Sequence, residues 1–381
     1  MLQKAYNFAA GPAMLPNEVL LQIQSEMFNW QHTGISILEI GHRTKEIQQL
    51  LENIKIKLTT LLAIPDNYKI LFTHGGGQGQ FAAVPMNLSH SQNSVNYIIT
   101  GLWSKRASEI ATQYTNVNSC SLIDDVINSN NCKDNDQINI SEKINNFITK
   151  NNSTNLSPTS YLFFCPNETV DGIYIDLTKL LSHDKLATVA DMTSLLMMET
   201  LDIKNYDLIF VATQKNLGIA GLTIVIIKEE LLNQLTPQII TPNIWHYQSL
   251  NKHNSSNNTI PVFAIYVMDL MLNWISNQGG VTQLMHKNKT NAQKIYNLID
   301  NSNGFYINNI NIHYRSSINI VFDLYDKLLI DKFLLLAKNS NLINLRGHAV
   351  RGGLRVNLYN VMPSDGVDAL LDCMRNFIQN H

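Results

Sequence analysis

The stretch VATQKNLGIAGLTIVII, residues 211–227, places a single lysine between two apolar segments. The segments at 208–213 and 222–227 are typical of strands, and glycines punctuate the turn between them. Lys215 therefore leaves a buried strand, where a lysine amine sheds part of its hydration and becomes a better nucleophile. A lysine at a strand end more often only extends its charge into solvent. Other residues of the chain must therefore show whether Lys215 is a reactive amine or a solvated lysine.

Short apolar segments alternate with helical ones over most of the chain. The patterns predict amphipathic helices at 17–30 and 44–64 and strands at 69–73, 95–101, 161–165, 187–192, 208–213 and 222–227. Several of these strands are apolar throughout, as expected when both faces of a sheet are covered. The order of the elements predicts an α/β fold with a mostly parallel central sheet.

The pattern changes after two long helices predicted at 261–277 and 281–302, which the pair Gly279-Gly280 separates. Strands at 305–310, 318–324, 341–348 and 354–359, with helices at 327–340 and 364–379, predict a smaller α+β unit. We therefore expect a large domain at 16–270 and a small C-terminal domain at 271–381. The N-terminal segment, residues 1–15, is expected to pack with the small domain.

Composition excludes several classes of function. The chain has 381 residues, of which 45% are hydrophobic, as in a globular protein. Its net charge of −2 gives no electrostatic reason to expect binding to nucleic acid or to an anionic membrane. The four cysteines have no zinc-binding spacing, which favours reduced thiols in a cytoplasmic protein without a metal site. No segment has the length and apolarity of a membrane helix. The asparagine-rich segments 116–155 and 251–258 are interpreted as surface loops shaped by nucleotide composition.

Polar groups follow the ends of the predicted strands, where open α/β sheets bind their ligands. HGGGQGQF (74–81) is a glycine-rich turn before a helix, suited to an anion but unlike the usual nucleotide-binding loops. Trp103, Thr169, Asp191 and Lys215 follow the next four strands. Together they supply an anion cup, a stacking ring, a hydroxyl, a carboxylate and an amine. Pyridoxal 5′-phosphate requires this set, because its aldehyde needs an amine and its ring nitrogen an acid partner.

Six motifs make the chain resemble the phosphoserine aminotransferase family of class-V aminotransferases. They are NFAAGPAMLP (7–16), GHRTKE (41–46), HGGGQGQFAAVPMN (74–87), CPNETVDGI (165–173), ATQKNLGIAGLT (212–223) and GGLRVNLYN (352–360). The resemblance implies a fold type I, pyridoxal-phosphate-dependent homodimer with active sites at the subunit interface. It implies transfer of the amino group of L-glutamate to 3-phosphohydroxypyruvate, giving O-phospho-L-serine and 2-oxoglutarate. A phosphorylated precursor of vitamin B6, 3-hydroxy-2-oxo-4-phosphooxybutanoate, is implied as a related substrate.

The resemblance also implies roles for individual residues. Lys215 would form the Schiff base with the cofactor and then act as the proton shuttle, and Asp191 would pair with the ring nitrogen. Cofactor contacts are implied for Gly77, Gln78, Trp103, Thr169 and Gln214, and, from the neighbouring subunit, for Asn258 and Thr259. Substrate contacts are implied for His42, Arg43, His348 and Arg355, of which the arginines suit carboxylate and phosphate groups.

The chain departs from the family's pattern in two places. The C-terminal motif reads GHAVRGG, so that Ala349 stands where the family usually carries an arginine of the phosphate site, and an arginine follows at Arg351. Gln78 stands where bacterial relatives often carry arginine. If residues 349–351 are extended, the side chain of Arg351 would return to the face that Ala349 leaves. The alternative is a solvated Arg351, with the phosphate held by Arg43, His42 and His348.

Three other functions compete with this interpretation. An alanine–glyoxylate or serine–pyruvate transaminase would share the cofactor site, but Arg43 and the GG-x-R segment favour a dianionic substrate. A non-catalytic binding module would have no use for Lys215, Asp191 and Thr169 together. A nucleotide-binding oxidoreductase would require a glycine fingerprint that the chain lacks.

Overall fold

A computed structural model of the chain describes residues 5–89, 94–127, 136–151, 161–180, 186–237 and 240–381. Its strands are β1 (Tyr6–Asn7), β2 (Tyr68–Thr73), β3 (Ser94–Ile99), β4 (Asn116–Ser121), β5 (Tyr161–Phe164), β6 (Asn167–Glu168), β7 (Ile173–Tyr174), β8 (Ala187–Asp191), β9 (Leu208–Ala212), β10 (Thr223–Lys228), β11 (Tyr306–Ile307), β12 (Asn319–Leu324), β13 (Leu342–Ile343) and β14 (Leu354–Asn357). Its helices are α1 (Asn17–Glu26), α2 (Lys45–Leu62), α3 (Gly76–Leu88), α4 (Leu102–Ala111), α5 (Ile123–Val126), α6 (Asp136–Asn151), α7 (Glu229–Gln234), α8 (Tyr247–Lys252), α9 (Val262–Asn277), α10 (Gly280–Asp300), α11 (Ile330–Asn339) and α12 (Ser364–Gln379).

The central sheet has seven strands in the order β2-β10-β9-β8-β5-β3-β4. β10 is antiparallel to both of its neighbours, and the other pairings are parallel. Strands β5 and β9 are buried along their whole length, because helices cover both faces of the sheet. This architecture confirms the predicted α/β fold with a mostly parallel central sheet.

Helix α2 shows how the sequence pattern becomes packing. Thr44 caps its N-terminus by accepting a hydrogen bond from the Ile47 amide, and the left-handed Ala63 ends it. Its apolar stripe, including Leu51, Ile54 and Leu58, is fully buried against α9. Each such side chain contributes about 1.5–3 kcal/mol when it leaves water. The helix therefore holds the segment just before it, residues 41–44, in a fixed place.

A second hydrophobic core belongs to the C-terminal part of the chain. Strands β11, β12 and β14 form a three-stranded antiparallel sheet that packs with α10, α11 and α12. The N-terminal strand β1 pairs in parallel with β13, and Phe8 lies in this second core. The boundary near residue 270 stays a prediction, since α9 and the start of α10 pack into the first core.

One strand of the sheet was not predicted. β4, with the sequence NVNSCS, falls in the asparagine-rich segment interpreted as surface loop. It forms because its backbone pairs in register with β3 at the edge of the sheet, where most of its side chains remain at least partly exposed. Residues 128–135 and 152–155 of the asparagine-rich segment lie outside the described residues. Among the helices that the structure describes, none is long and apolar enough to span a membrane.

Candidate active site

A cavity of about 380 Å³ opens at the carboxyl-terminal edge of the central sheet. Its size falls within the range of small-molecule sites. It is lined by Gly75, Gly76, Gly77, Gln78, Phe81, Trp103, Cys165, Asn167, Asp191, Thr193, Ser194, Gln214 and Lys215. Six of the predicted residues thus meet here, because β2, β3, β5, β8 and β9 all end at this edge.

The glycine-rich turn forms one wall of the cavity. Gly75 and Gly76 have positive φ values of 98° and 62°, which favour glycine, and α3 starts at Gly76. The Gly76 amide donates to Thr223 Oγ1 at 2.8 Å. Helical geometry leaves the amides of Gly77 and Gln78 without an intrahelical acceptor. With the positive end of the helix dipole, these amides are suited to a phosphate group, and their role in binding one stays a prediction.

Trp245 supports this turn from behind and was not singled out from the sequence. Its Nε1 donates to the carbonyl oxygen of His74 at 3.1 Å. A Cβ atom at Gly75 would lie 3.2 Å from the Trp245 ring. The close approach explains why residue 75 is glycine and why the turn keeps its shape. No local sequence signal indicates this contact, since the two residues are far apart in the chain.

Asp191 ends β8 and points into the cavity with 8% of its surface exposed. Its Oδ1 accepts a hydrogen bond from the Thr193 amide at 2.9 Å. Burial raises the pKa of the Asp191 carboxyl, while the positive charge of Lys215 and the Thr193 bonds oppose that rise. A cation beside this carboxylate would restore its ionised form. The site therefore suits a protonated ring nitrogen.

Lys215 lies in the turn after β9, and its amine forms no ion pair within the described chain. The N-terminal segment crosses this turn, where the Ala13 amide donates to the carbonyl oxygen of Gln214 at 2.9 Å. A Cβ atom added at Gly11 would lie 3.5 Å from Lys215 Cγ. The motif at 7–16 therefore helps to enclose the lysine, a contact that sequence analysis did not predict.

Trp103 and Thr169 are joined directly, since Trp103 Nε1 donates to Thr169 Oγ1 at 2.8 Å. Trp103 lies in the first turn of α4, whose amides are bound by two carboxylates. Glu168 accepts from the amides of Trp103 and Ser104 at 2.9 and 2.8 Å, and Asp171 accepts from the Leu102 amide at 2.8 Å. Thr169 is not among the residues that line the cavity, but its hydroxyl fixes the ring that does.

Glu168 is fully buried, and burial raises its pKa from 4.5 to about 7 despite the hydrogen bonds that it accepts. Its ionised form is held by the positive end of α4. In the sequence, Glu168 is distinguished only by its place in the motif CPNETVDGI. The structure gives it a definite task, because it sets the position of the Trp103 backbone.

A ladder of buried asparagines links the cavity to the C-terminal unit. Asn167, in the cavity wall, donates to Ser194 Oγ at 2.9 Å and to Asn319 Oδ1 at 2.7 Å. Asn319 in turn donates to Asn357 Oδ1 at 2.7 Å. Buried amides with all their partners in place fix relative positions tightly. This network was not predicted, because asparagine is common throughout the chain and its pattern gave no signal.

Four predicted residues do not line the cavity of their own chain: His42, Arg43, Asn258 and Thr259. Arg43 is exposed and forms no ion pair within the described ranges, and Thr259 is exposed as well. Gln48 joins their segments, since its Nε2 donates to the His42 carbonyl oxygen at 2.8 Å and to Ser256 Oγ at 3.0 Å. The pKa of His42 is lowered by burial and by Arg43, and its Nε2 is buried without a hydrogen-bond partner.

Asn258 lies closer to the glycine turn. Its Nδ2 is 3.4 Å from Nδ1 of His74, which directly precedes the turn. Burial lowers the pKa of His74. Within one chain, however, neither Asn258 nor Thr259 is among the residues that line the cavity.

The predicted substrate residues of the C-terminal motif form a third group. Arg355 is buried and donates from Nη1 to the carbonyl oxygen of Thr169 at 2.9 Å. Its Nε is buried without a partner. Asp171, which accepts a hydrogen bond from the first amide of α4, lies close to this group. Burial raises the pKa of Asp171, and the charges of Arg351, His348 and Arg355 oppose that rise. The group therefore adjoins the wall that Trp103 provides.

Two other features of the described residues carry no chemistry. A groove of about 690 Å³ lies beside α10, but its charges are paired with one another, as in Lys289–Glu199 at 2.7 Å and Arg315–Asp300 at 2.8 Å. Cys120, Cys165 and Cys373 are buried free thiols, and Cys132 lies outside the described ranges. No cluster of metal-ligating side chains occurs in the described part of the chain.

Comparison with known proteins agrees with this geometry. The aminotransferase class-V family matches residues 5–370. A phosphoserine aminotransferase from Legionella pneumophila is 40% identical over 387 residues, covering 100% of both chains. The solved phosphoserine aminotransferase from Bacillus circulans subsp. alkalophilus superposes with a TM-score of 0.86 at 32% identity, covering 99% of each chain. The PLP-bound enzyme from Trichomonas vaginalis gives a TM-score of 0.84 at 31% identity, covering 98% of this chain and 100% of that one.

Proposed function

This chain belongs to the class-V aminotransferase family, and on that basis we propose that it transfers the amino group of L-glutamate to 3-phosphohydroxypyruvate. The products are O-phospho-L-serine and 2-oxoglutarate, so the enzyme is a phosphoserine transaminase of L-serine biosynthesis that uses pyridoxal 5′-phosphate. One observation carries the proposal: Lys215, Asp191 and the glycine turn line a single cavity. The vitamin B6 precursor stays a prediction as a second substrate.

The residues of the cavity fit the cofactor. Gly77 and Gln78 would provide amides for its phosphate, the Trp103 ring would stack on its pyridine ring, and Asp191 would pair with its ring nitrogen. Gln214 lines the cavity from the turn after β9. Thr169 supports the stacking ring, because its hydroxyl accepts a hydrogen bond from the Trp103 indole. When bound, the cofactor supplies an electron sink for the pair of electrons left after a proton leaves the substrate.

Lys215 performs two tasks in the proposed reaction. Its amine would hold the cofactor covalently. Once displaced by the amino substrate, the amine would take the proton from Cα of that substrate, as a general base within the cavity. Asp191 would hold the ring nitrogen in its protonated form, which would favour loss of the Cα proton. Arg355 binds the substrate carboxylate, because a guanidinium pairs with it bidentately.

A homodimer is part of the proposal and rests on the surface that carries Arg43 and Thr259. Both are exposed and absent from the cavity lining of their own chain. Phe28 and Leu38, on the segment leading to Arg43, are 88% and 61% exposed. Large apolar side chains that are this exposed favour burial against another protein surface. A second copy would cover them and bring His42, Arg43, Asn258 and Thr259 to its neighbour's cavity.

A cytoplasmic location completes the proposal. Its support is the free state of Cys120, Cys165 and Cys373, since disulfides are rare in the reducing cytoplasm. The substrates are small metabolites, and net charge gives no reason to expect nucleic acid as a partner.

A coupled assay tests the reaction. The purified protein, loaded with pyridoxal phosphate, is mixed with L-glutamate and 3-phosphohydroxypyruvate, and the release of 2-oxoglutarate is followed. We expect turnover with this pair and much weaker turnover when hydroxypyruvate replaces the phosphorylated acceptor. Efficient use of alanine and glyoxylate, without activity toward the phosphorylated acceptor, would contradict the proposal.

A further inference from the structure

Residues 347–353 form a tight turn, so the extended alternative considered for residues 349–351 does not hold. The amides of Arg351 and Gly352 both donate to the carbonyl oxygen of His348, at 3.0 and 2.7 Å. Gly352 and Gly353 follow with positive φ values of 74° and 66°, which reverse the chain. The alternation of faces that holds in a strand therefore does not apply here. Ala349 is exposed in this turn, whereas Arg351 is partly buried.

The guanidinium of Arg351 is not satisfied by the protein. Its Nη1 is buried and has no hydrogen-bond partner. Asp171 and Asp323 face it, but it forms no ion pair with either carboxylate in the described chain. Asp171 already accepts a hydrogen bond from the Leu102 amide at 2.8 Å. A buried donor without an acceptor is costly, which indicates that the Nη1 group of this partly buried side chain binds something the protein does not contain.

The surroundings of Arg351 indicate an anion. Arg355 lies near enough for the positive charge of Arg351 to lower its pKa, in addition to the effect of burial. The Nε atom of Arg355 is buried without a partner as well. Two guanidinium groups with unused donors thus lie beside Asp171 and His348, next to the α4 wall of the cavity. An anion between them would remove their repulsion and accept the free hydrogen bonds.

We propose that Arg351 binds the phosphate group of the phosphorylated substrate. This inference rests on the proposed function and adds a residue that fixes substrate choice. Arg355 binds the carboxylate that both substrates share, and Arg351 provides a second guanidinium for the phosphate group, whose negative charge and three acceptor oxygens exceed those of the side-chain carboxylate of L-glutamate. The turn brings Arg351 inward, so that it supplies the positive charge missing at the exposed Ala349.

The test compares Arg351→Ala with Arg346→Ala in the loaded enzyme. Arg346 is a matched control because it precedes the same turn but is exposed and paired with Asp331. Single-turnover rates are measured separately, with L-glutamate on the pyridoxal phosphate form of the enzyme and with 3-phosphohydroxypyruvate on the pyridoxamine phosphate form. Removing one charge-assisted contact should lower kcat/KM for the phosphorylated substrate by about ten- to a hundredfold. The glutamate half-reaction should change less than about twofold, and the control should match the wild type in both.

Inorganic phosphate provides a measurement that does not depend on the reaction. Calorimetric titration of the loaded wild type and Arg351→Ala with phosphate should show about tenfold weaker binding to the variant. Equal phosphate affinity, or an equal loss in both half-reactions, would overturn the assignment of Arg351. A wild type that binds phosphate through Arg351 but does not turn over 3-phosphohydroxypyruvate would instead refute the proposed function alone.

Discussion

Replacing Glu168 by glutamine should remove a defined pH dependence from the stability of the protein. The Glu168 carboxylate accepts hydrogen bonds from Ser104 N, Ser104 Oγ and Trp103 N at 2.8, 2.6 and 2.9 Å. Burial raises its pKa from 4.5 to about 7. Below pH 4.5 the carboxyl is protonated in the folded and unfolded states alike, and above pH 7 it is ionised in both. Between these values only the folded protein keeps the proton.

The stabilisation that Glu168 contributes through proton binding is therefore complete below pH 4.5 and disappears as the pH rises through about 7. At about 1.4 kcal/mol per pKa unit, its contribution falls by roughly 2.5 kcal/mol between pH 5 and pH 8. Glutamine has a similar shape but does not titrate. The free energy of unfolding of the wild type, minus that of Glu168→Gln, should fall by that amount over this interval.

Urea unfolding followed by circular dichroism at pH 5, 6, 7 and 8 measures this difference. Glu109→Gln is the control, because Glu109 lies on α4, the helix whose first amides Glu168 binds, and its side chain is 63% exposed. It should show a difference from the wild type that is nearly independent of pH. A Glu168→Gln difference that stays constant from pH 5 to pH 8 would refute the reasoning that burial raises the pKa of this carboxyl.

Two further predictions concern the cofactor site. Asp191→Asn should slow the chemical step about ten- to a hundredfold while retaining the cofactor, since a charge-assisted bond of about 1.5–3 kcal/mol is lost. Stopped-flow absorbance measures the rate of this step, and an unchanged rate would show that Asp191 has only a structural role. Lys215→Ala and Thr259→Ala chains, each poorly active alone, should regain activity after being unfolded and refolded together, because one site of a mixed dimer has both residues. Activity that does not rise on mixing would contradict shared sites.

Periodic patterns made most of the fold predictable. The apolar stripe of α2 and the fully apolar strands β5 and β9 appear in the sequence with almost their observed bounds. Strand β4 could not be predicted, because NVNSCS has no apolar pattern and forms by pairing its backbone with β3. Local patterns thus identify elements that bury one face, but they do not identify an edge strand held mainly by hydrogen bonds.

The candidate site shows a similar division. Lys215 and Asp191 could be placed together because both follow parallel strands, whose ends meet at one edge. The contacts of Trp245 with the glycine turn and of Glu168 with α4 join parts of the chain that are distant in sequence. The turn at 349–351 could not be predicted, because the sequence left an extended segment and a solvated loop as alternatives, and the two glycines after it reverse the chain with positive φ.

The most direct test of Lys215 as the reactive amine is reduction of the loaded protein with sodium borohydride. Reduction fixes the cofactor to the amine that holds it, and mass spectrometry of the digested protein locates the modified lysine. We predict a single modified residue, Lys215, and no fixed cofactor in Lys215→Ala, which should also lose turnover. Modification of another lysine, such as Lys228 at the end of β10, or full activity of Lys215→Ala, would contradict the assignment.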